Sequence, residues 1–218
     1  MSDHVKGGAS GRRPYDASRR QEQARATRRA VLDAARRRFL DEGYGGTTVA
    51  AVAADAGVSV ETVYKAFGNK AKLVKAVFDV AIVGDDEPIP LMQRDTIARL
   101  QAEADGRRKF ELYGDHLVDL APRTNPILLV VRAAAATDQG AAEVWAQLQH
   151  ERLTGMTHFA ADLHGNGLLR AGVSKAEARD VLWTYNSVEL WDLLVNQRGW
   201  PTRRWGRFVA QQLAAALL

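Results

Sequence analysis

Between Glu22 and Glu42 the apolar residues Val31, Ala35 and Phe39 recur at every fourth position, and Leu32 and Ala34 widen the stripe. That is the spacing of one buried helical face. Gly43 ends the predicted helix and Gly45-Gly46 forms a turn. Thr47 or Thr48 then caps a short second helix whose apolar positions are Val49, Val52, Ala53 and Ala56. Gly57 breaks it, and Val58 is placed to plug the core beneath the turn. Ser59 caps a third helix with Val63 and Phe67 inside, and Gly68 ends it. Asn69 caps a fourth, with Leu73, Ala76, Val77 and Val80 on one face.

Further helices are predicted beyond Gly84-Asp85-Asp86-Glu87-Pro88-Ile89-Pro90, the clearest linker in the chain. One covers about 91–104. A second carries Phe110, Tyr113, Leu117 and Leu120, and a third starts at Asn125-Pro126, with proline where its missing N–H costs least. Thr137-Asp138 opens a long helix with Val144, Trp145, Leu148, Phe159 and Leu163, and Gly165-Asn166-Gly167 ends it. Ser174 and Glu177 form a capping box before a helix over about 174–196, and Pro201-Thr202 starts the last one, over about 201–217. No stretch alternates with the period of a strand. The fold class is all-α: an N-terminal three-helix helix-turn-helix domain and a C-terminal helical domain.

Composition narrows the chemistry. With 46% hydrophobic and 26% charged residues the chain can bury a core, so global disorder is excluded. It has no cysteine, hence no disulfide, thiolate metal site or Cys nucleophile. No apolar run is long enough for a membrane span and the N-terminus does not read as a secretory signal, so a cytoplasmic protein is expected. Charge is uneven: residues 1–83 hold 15 Lys/Arg against 9 Asp/Glu, and residues 84–218 hold 15 against 17. A basic end on an otherwise near-neutral chain suits a polyanion, although a solvated basic face would look the same. The expected organisation is a flexible basic arm over 1–22, a smaller helical domain over 23–83 and a larger helical domain over 84–218. In the arm, Arg12, Arg13, Arg19 and Arg20 are candidates to follow phosphates.

Thr47 to Lys72 carries the functional signal. A short helix, the turn Ala56-Gly57-Val58-Ser59, a second short helix and a capped third make a helix-turn-helix. The helix after Ser59 turns Ser59, Val60, Glu61, Thr62 and Lys65 outward, towards a major groove. Tyr64 and Lys70 suit phosphates, Lys70 because it opens a helix whose free N–H groups already favour an anion. The plainer alternative buries Tyr64 in the core and leaves Lys70 in solvent.

Residues 25–83 resemble the DNA-binding domain of the TetR family of transcriptional regulators. The resemblance rests on Ala34-Ala35 through Phe39, Gly43-Tyr44, Thr47-Thr48-Val49, Ala56-Gly57-Val58-Ser59, and Thr62-Val63-Tyr64 followed by Phe67, Asn69-Lys70 and Leu73. It implies that Thr48, Thr62, Tyr64 and Lys70 hold phosphates and that Ser59, Val60, Glu61 and Lys65 face bases. It also implies a fourth connecting helix and a ligand domain whose last two helices pair in a dimer. Two departures bear on the operator: Lys65-Ala66 replaces the more usual aromatic or histidine pair, and Val60 can touch a thymine methyl but cannot hydrogen-bond a base edge.

In the C-terminal half, Phe110, Tyr113, Leu117, Trp145, Phe159 and Trp183 are the candidate pocket residues, with core packing as the commoner use of such stripes. Few charges fall on the inward faces, which suits an apolar or aromatic ligand. His158 with Asp162, and His116 with Asp119, are each two ligands where a metal needs more, so no metal and no cofactor is expected. Nothing points to an enzyme. The expected function is a sequence-specific regulator, a repressor released by its effector. Its partners are double-stranded DNA with a palindromic operator, a small molecule and a second copy of the chain. The alternative is a dimeric ligand-binding or protein-interaction module without an operator.

Overall fold

The computed structural model describes residues 13–84 and 95–218, and these are helical with no strand among them. Helix α1 (Arg13–Gly46) packs against α2 (Val49–Ala56) and α4 (Lys70–Val83), and α3 (Val60–Phe67) packs against α2 and α4. Then come α5 (Asp95–Ala102), the long α6 (Gly106–Ala134) and α7 (Gln139–Gly165), α8 (Lys175–Tyr185), α9 (Val188–Trp191) running into a π-turn (Asp192–Gln197), and α10 (Thr202–Leu217). Residues 1–12 of the expected arm and 85–90 of the expected linker lie outside the described residues, as do 91–94 of the helix expected over 91–104.

The local signals explain most boundaries. Gly43, at φ 70°, breaks the helical path of α1 where a side chain would be strained. Thr48, Ser59, Asn69, Asp138 and Ser174 each accept a backbone N–H from the first turn of the helix that follows. Gly57 takes the left-handed conformation at φ 67°, ψ 32°, and the Val58 N–H donates to the Ala53 carbonyl at 3.0 Å, which closes α2.

Three expectations are corrected. Helix α1 starts at Arg13, so residues 13–22 extend the helix instead of forming a loose arm. The helices expected on either side of Asn125-Pro126 are one, α6, which runs through Pro122 and Pro126. Each proline removes one donor from the ladder. The flanking halves are nevertheless held in line, because Phe110, Tyr113 and Leu117 are buried in one core and Ile127 and Val131 in another. Conversely, the helix expected over 174–196 is broken at Asn186, where Ser187 caps α9 by accepting from the Leu190 N–H at 3.2 Å. A serine partway along an apolar stripe starts a new helix.

Two apolar cores result. The first joins Val31, Phe39, Val52, Val63, Phe67 and Leu73 to Ile127, Val131, Ala141 and Val144 of α6 and α7. The second holds Phe110, Leu117, Leu163, Leu182, Trp205 and Leu213 within the C-terminal helices. The first core therefore crosses the expected domain boundary: the three-helix unit and α4 are packed directly on α6 and α7.

Candidate nucleic-acid interface and effector cavity

Helix α3 has the two faces expected of a reader. Val63 and Phe67 are 2% and 7% exposed, while Val60 and Tyr64 are 40% and 50% exposed. Leaving a valine and a tyrosine in water forgoes about 1–2 kcal/mol of burial each, so such exposure is informative when the two side chains share an outward patch. Glu61 and Lys65 are exposed beside them, and Thr62 is half-buried. The alternative of Tyr64 in the core is thereby excluded. Ser59 has a first duty as cap: its Oγ accepts from the Thr62 N–H at 3.1 Å and lies 2.8 Å from the Thr62 hydroxyl. Thr48 is exposed, and its hydroxyl accepts from the Ala51 N–H at 3.1 Å, which leaves its own proton to donate outward.

Lys70 is neither simply solvated nor wholly given to a partner. Its Nζ donates to the Tyr44 carbonyl at 2.9 Å and sits 4.2 Å from the centre of the Tyr44 ring. The ammonium has three donors, so two remain for a phosphate at the start of α4. The Tyr44 ring stacks on Phe39 at 5.9 Å. Burial and the nearby Asp138 carboxylate push its hydroxyl up to about 12. Asp138 caps α7, so Lys70, Tyr44 and Asp138 form a line from the reader to the C-terminal helices.

A cavity of about 470 Å³ lies among α4, α5, α6 and α7, with Phe78, Ile82, Leu117, Leu128, Met156 and Phe159 in its walls. Of the expected pocket residues, Tyr113, Leu117 and Phe159 line it. Phe110, Trp145 and Trp183 do not. Phe110 is fully buried behind Phe159, with ring centres 6.0 Å apart. Trp145 packs against the first core. Trp183 lies under the Arg152 guanidinium, 4.3 Å from its ring centre. Helical periodicity marks the inward side of a helix but does not distinguish a cavity wall from solid core.

A model of bacterial regulatory proteins, tetR family, matches residues 31–77, which run from α1 to the middle of α4. The HTH-type transcriptional regulator TtgR of Pseudomonas putida is 43% identical over 61 residues, 28% of this chain and 29% of TtgR. The chain thus matches under a third of that curated relative's length. FadR from Bacillus subtilis, solved in complex with stearoyl-CoA, superposes with TM-score 0.67 at 17% identity, over 87% of this chain and 98% of that one. A transcriptional regulator from Saccharomonospora viridis, in complex with choline, does so with TM-score 0.63 at 14% identity, over 87% and 96%. Over residues 31–77 the chain is therefore similar to the TetR family, and over most of its length it shares the fold of these solved regulators.

In the cavity wall the sequence reading missed several residues. Charged and polar groups line it: Asp79, His116, Asn125, Glu151, Arg152, Asp162 and Asn186. For Arg152 a signal existed. Leu148, Arg152, Met156, Phe159 and Leu163 are one continuous inward stripe of α7, with an arginine where an apolar residue belongs. Of the two His–Asp pairs, Asp162 is engaged by Lys109, which donates to it at 2.6 Å.

His116 gives a testable pH dependence. Burial holds its pKa below the usual 6.5, the Arg123 charge lowers it further, and Asp119 opposes weakly. The folded chain therefore disfavours a proton that the unfolded chain accepts. Stability is complete above about pH 6.5 and falls as the pH drops below it. Thermal melts at pH 7.5 and 5.5 are expected to differ more for the native chain than for His116→Gln.

Proposed function

We propose that the chain is a sequence-specific DNA-binding transcriptional regulator, a repressor that leaves a palindromic operator when a small molecule fills the cavity. The observation that carries this reading is the exposed face of α3, where Val60 and Tyr64 stand in solvent on a helix whose other side is firmly buried. In this reading Ser59, Val60, Glu61 and Lys65 meet base edges, and Thr48, Thr62, Tyr64 and Lys70 meet phosphates. The same face speaks against a module without an operator. Complexes of two neighbours of this fold with stearoyl-CoA and choline support a small-molecule effector. The proposed setting is the cytoplasm, and no helix among the described residues is long and apolar enough to cross a membrane. The test is selection by the full chain from a random duplex library. Enrichment of a two-fold symmetric site supports the reading, and recovery of no preferred sequence overturns it.

The proposal divides labour within the reader. Lys70→Ala is expected to weaken binding to all duplexes alike and to reduce the salt dependence by about one unit of slope. Lys65→Ala is expected to change which base is preferred at one position of each half-site. Parallel losses on every operator variant would contradict this division.

A homodimer through the last two helices is also proposed, on the apolar residues that the protomer itself does not bury. Leu182, Trp205 and Leu213 are buried within the protomer and are not surplus. Leu193, 51% exposed on the π-turn, and the half-buried Leu190, Leu194 and Phe208 remain for a partner. Sedimentation at micromolar concentration should show a dimer, and Leu193→Asp should shift it towards monomer.

A further inference from the structure

The charged groups around the cavity are not equivalent. Asp79 and Glu151 share Lys75, at 2.6 and 3.2 Å, and Asp162 has Lys109 at 2.6 Å. Each acid in the wall thus has a cation. Arg152 has no such partner: no carboxylate lies within ion-pair distance of it among the described residues. Glu189, whose charge reaches it, is bound to Arg132 at 3.4 Å. Arg152 is held by neutral groups alone. Its Nη1 donates to the carbonyls of Trp183 and of Asn186, the latter at 3.2 Å, and its Nε and Nη2 donate to Gln149 Oε1 at 3.3 and 2.8 Å. The break after Tyr185 exposes those carbonyls, so the arginine caps α8 and is fixed in place. One of its five N–H groups stays without an acceptor, and no carboxylate is in direct contact with its charge. A partly buried cation without a counter-ion is costly, and burial accordingly lowers its pKa.

The adjoining donors point the same way. The Tyr113 hydroxyl is buried, and its hydrogen bond goes to Met156 Sδ at 3.6 Å. The Asn186 side-chain amide donates to the same sulfur at 3.8 Å. A thioether is a weak acceptor. The Tyr113 hydroxyl, the Asn186 amide and Arg152 therefore gather at one corner, where the acceptors are a sulfur, the tyrosine oxygen and carbonyls and no carboxylate stands. Tyr113, Arg152, Met156 and Asn186 all line the cavity. The rest of the lining includes the apolar Phe78, Ile82, Leu117, Leu128 and Phe159.

We propose that the effector is an amphiphilic monocarboxylate, its carboxylate held by Arg152 and Tyr113 and its apolar body lying against α4 and α6. This rests on the reading of the cavity as the effector site, and it replaces a purely apolar ligand with one that has a single anionic end. The carboxylate supplies the missing counter-charge and the missing oxygen acceptor together. An aliphatic ammonium of the same length would meet an unpaired cation.

The probes are decanoate, 1-decanol and decylamine, titrated calorimetrically into the full chain without DNA at pH 7.5. Decanoate is expected to bind about tenfold or more tighter than decanol, as one charge-assisted hydrogen bond allows, and decylamine more weakly than decanol. Arg152→Met should abolish the preference for decanoate and leave decanol nearly unchanged. Because Arg152 also caps α8, Tyr113→Phe is the second variant. It keeps the ring and should weaken decanoate by several-fold, whether or not Arg152→Met folds. Decanol or decylamine binding as tightly as decanoate, no decanoate binding up to about 1 mM, or an unchanged preference in the folded variants overturns the proposal. None of these outcomes touches the operator selection, which uses no ligand, so the two readings fail separately.

Discussion

Replacing Gly206 by alanine is expected to cost about 2–3 kcal/mol, because α6 and α10 cross there backbone to backbone. A methyl at Gly206 would lie 2.5 Å from Val118 Cγ2 and 2.7 Å from the Gly114 carbonyl oxygen. A methyl at Gly114 would meet the Gly206 carbonyl oxygen at 2.6 Å and Ala210 Cβ at 3.1 Å. A side-chain carbon can swing aside, but a helical carbonyl cannot move without its helix. For a chain of this size that cost lowers the melting temperature by roughly 5–10 °C. Gly155→Ala is the contrasting case. It lies inside α7, a methyl there would meet nothing within 4 Å, and the substitution is expected to stabilise by about 0.5–1 kcal/mol. Thermal melts of the native chain and the two variants check this. Similar melting temperatures for Gly206→Ala and Gly155→Ala would mean that the helices can part at little cost.

Ligand in the cavity is expected to weaken operator binding by about 5–150-fold, a coupling of about 1–3 kcal/mol, and operator should weaken ligand binding by the same factor. Helix α4 is the physical link. Lys70 opens it beside the reader, and Phe78, Asp79, Ile82 and Val83 near its other end form part of the cavity wall. Over its 14 residues, about 21 Å, α4 is a single rigid element that touches both sites. The contact of Lys70 with the Tyr44 carbonyl ties it to α1, and the ion pair of Lys75 with Glu151 ties it to α7. Filling the cavity pushes on Phe78 and Ile82, and the resulting tilt changes the separation of the two α3 helices in the proposed dimer. Ile82→Trp, which puts a larger side chain into the cavity, should reduce operator affinity without any ligand. Equal ligand affinity with and without operator would show the two halves to be uncoupled.

Much of this architecture was legible in the sequence because it depends on local signals. Glycine at a left-handed turn and Ser, Thr, Asn or Asp at a cap act within a few residues, and Thr48, Gly57, Ser59 and Asn69 stand where the pattern placed them. What escaped depends on distant partners. Asn125-Pro126 suggested a helix start, yet packing at both ends carries α6 through Pro122 and Pro126. The apolar stripe through Trp183 and Trp191 hid the break at Asn186. Trp145 looks like Phe159 in periodicity, but the first core lies behind one and the cavity in front of the other. Arg152 was visible as an anomaly in a stripe, while its role needed the carbonyls of a helix end far along the chain.

The central claim is that α3 reads sequence as well as binding charge. The direct measurement is the affinity of the full chain for its selected duplex and for a scrambled duplex of the same length and composition, at one salt concentration near physiological. The account predicts a ratio on the order of a thousand or more. Equal affinities would reduce α3 to a basic surface and contradict the account.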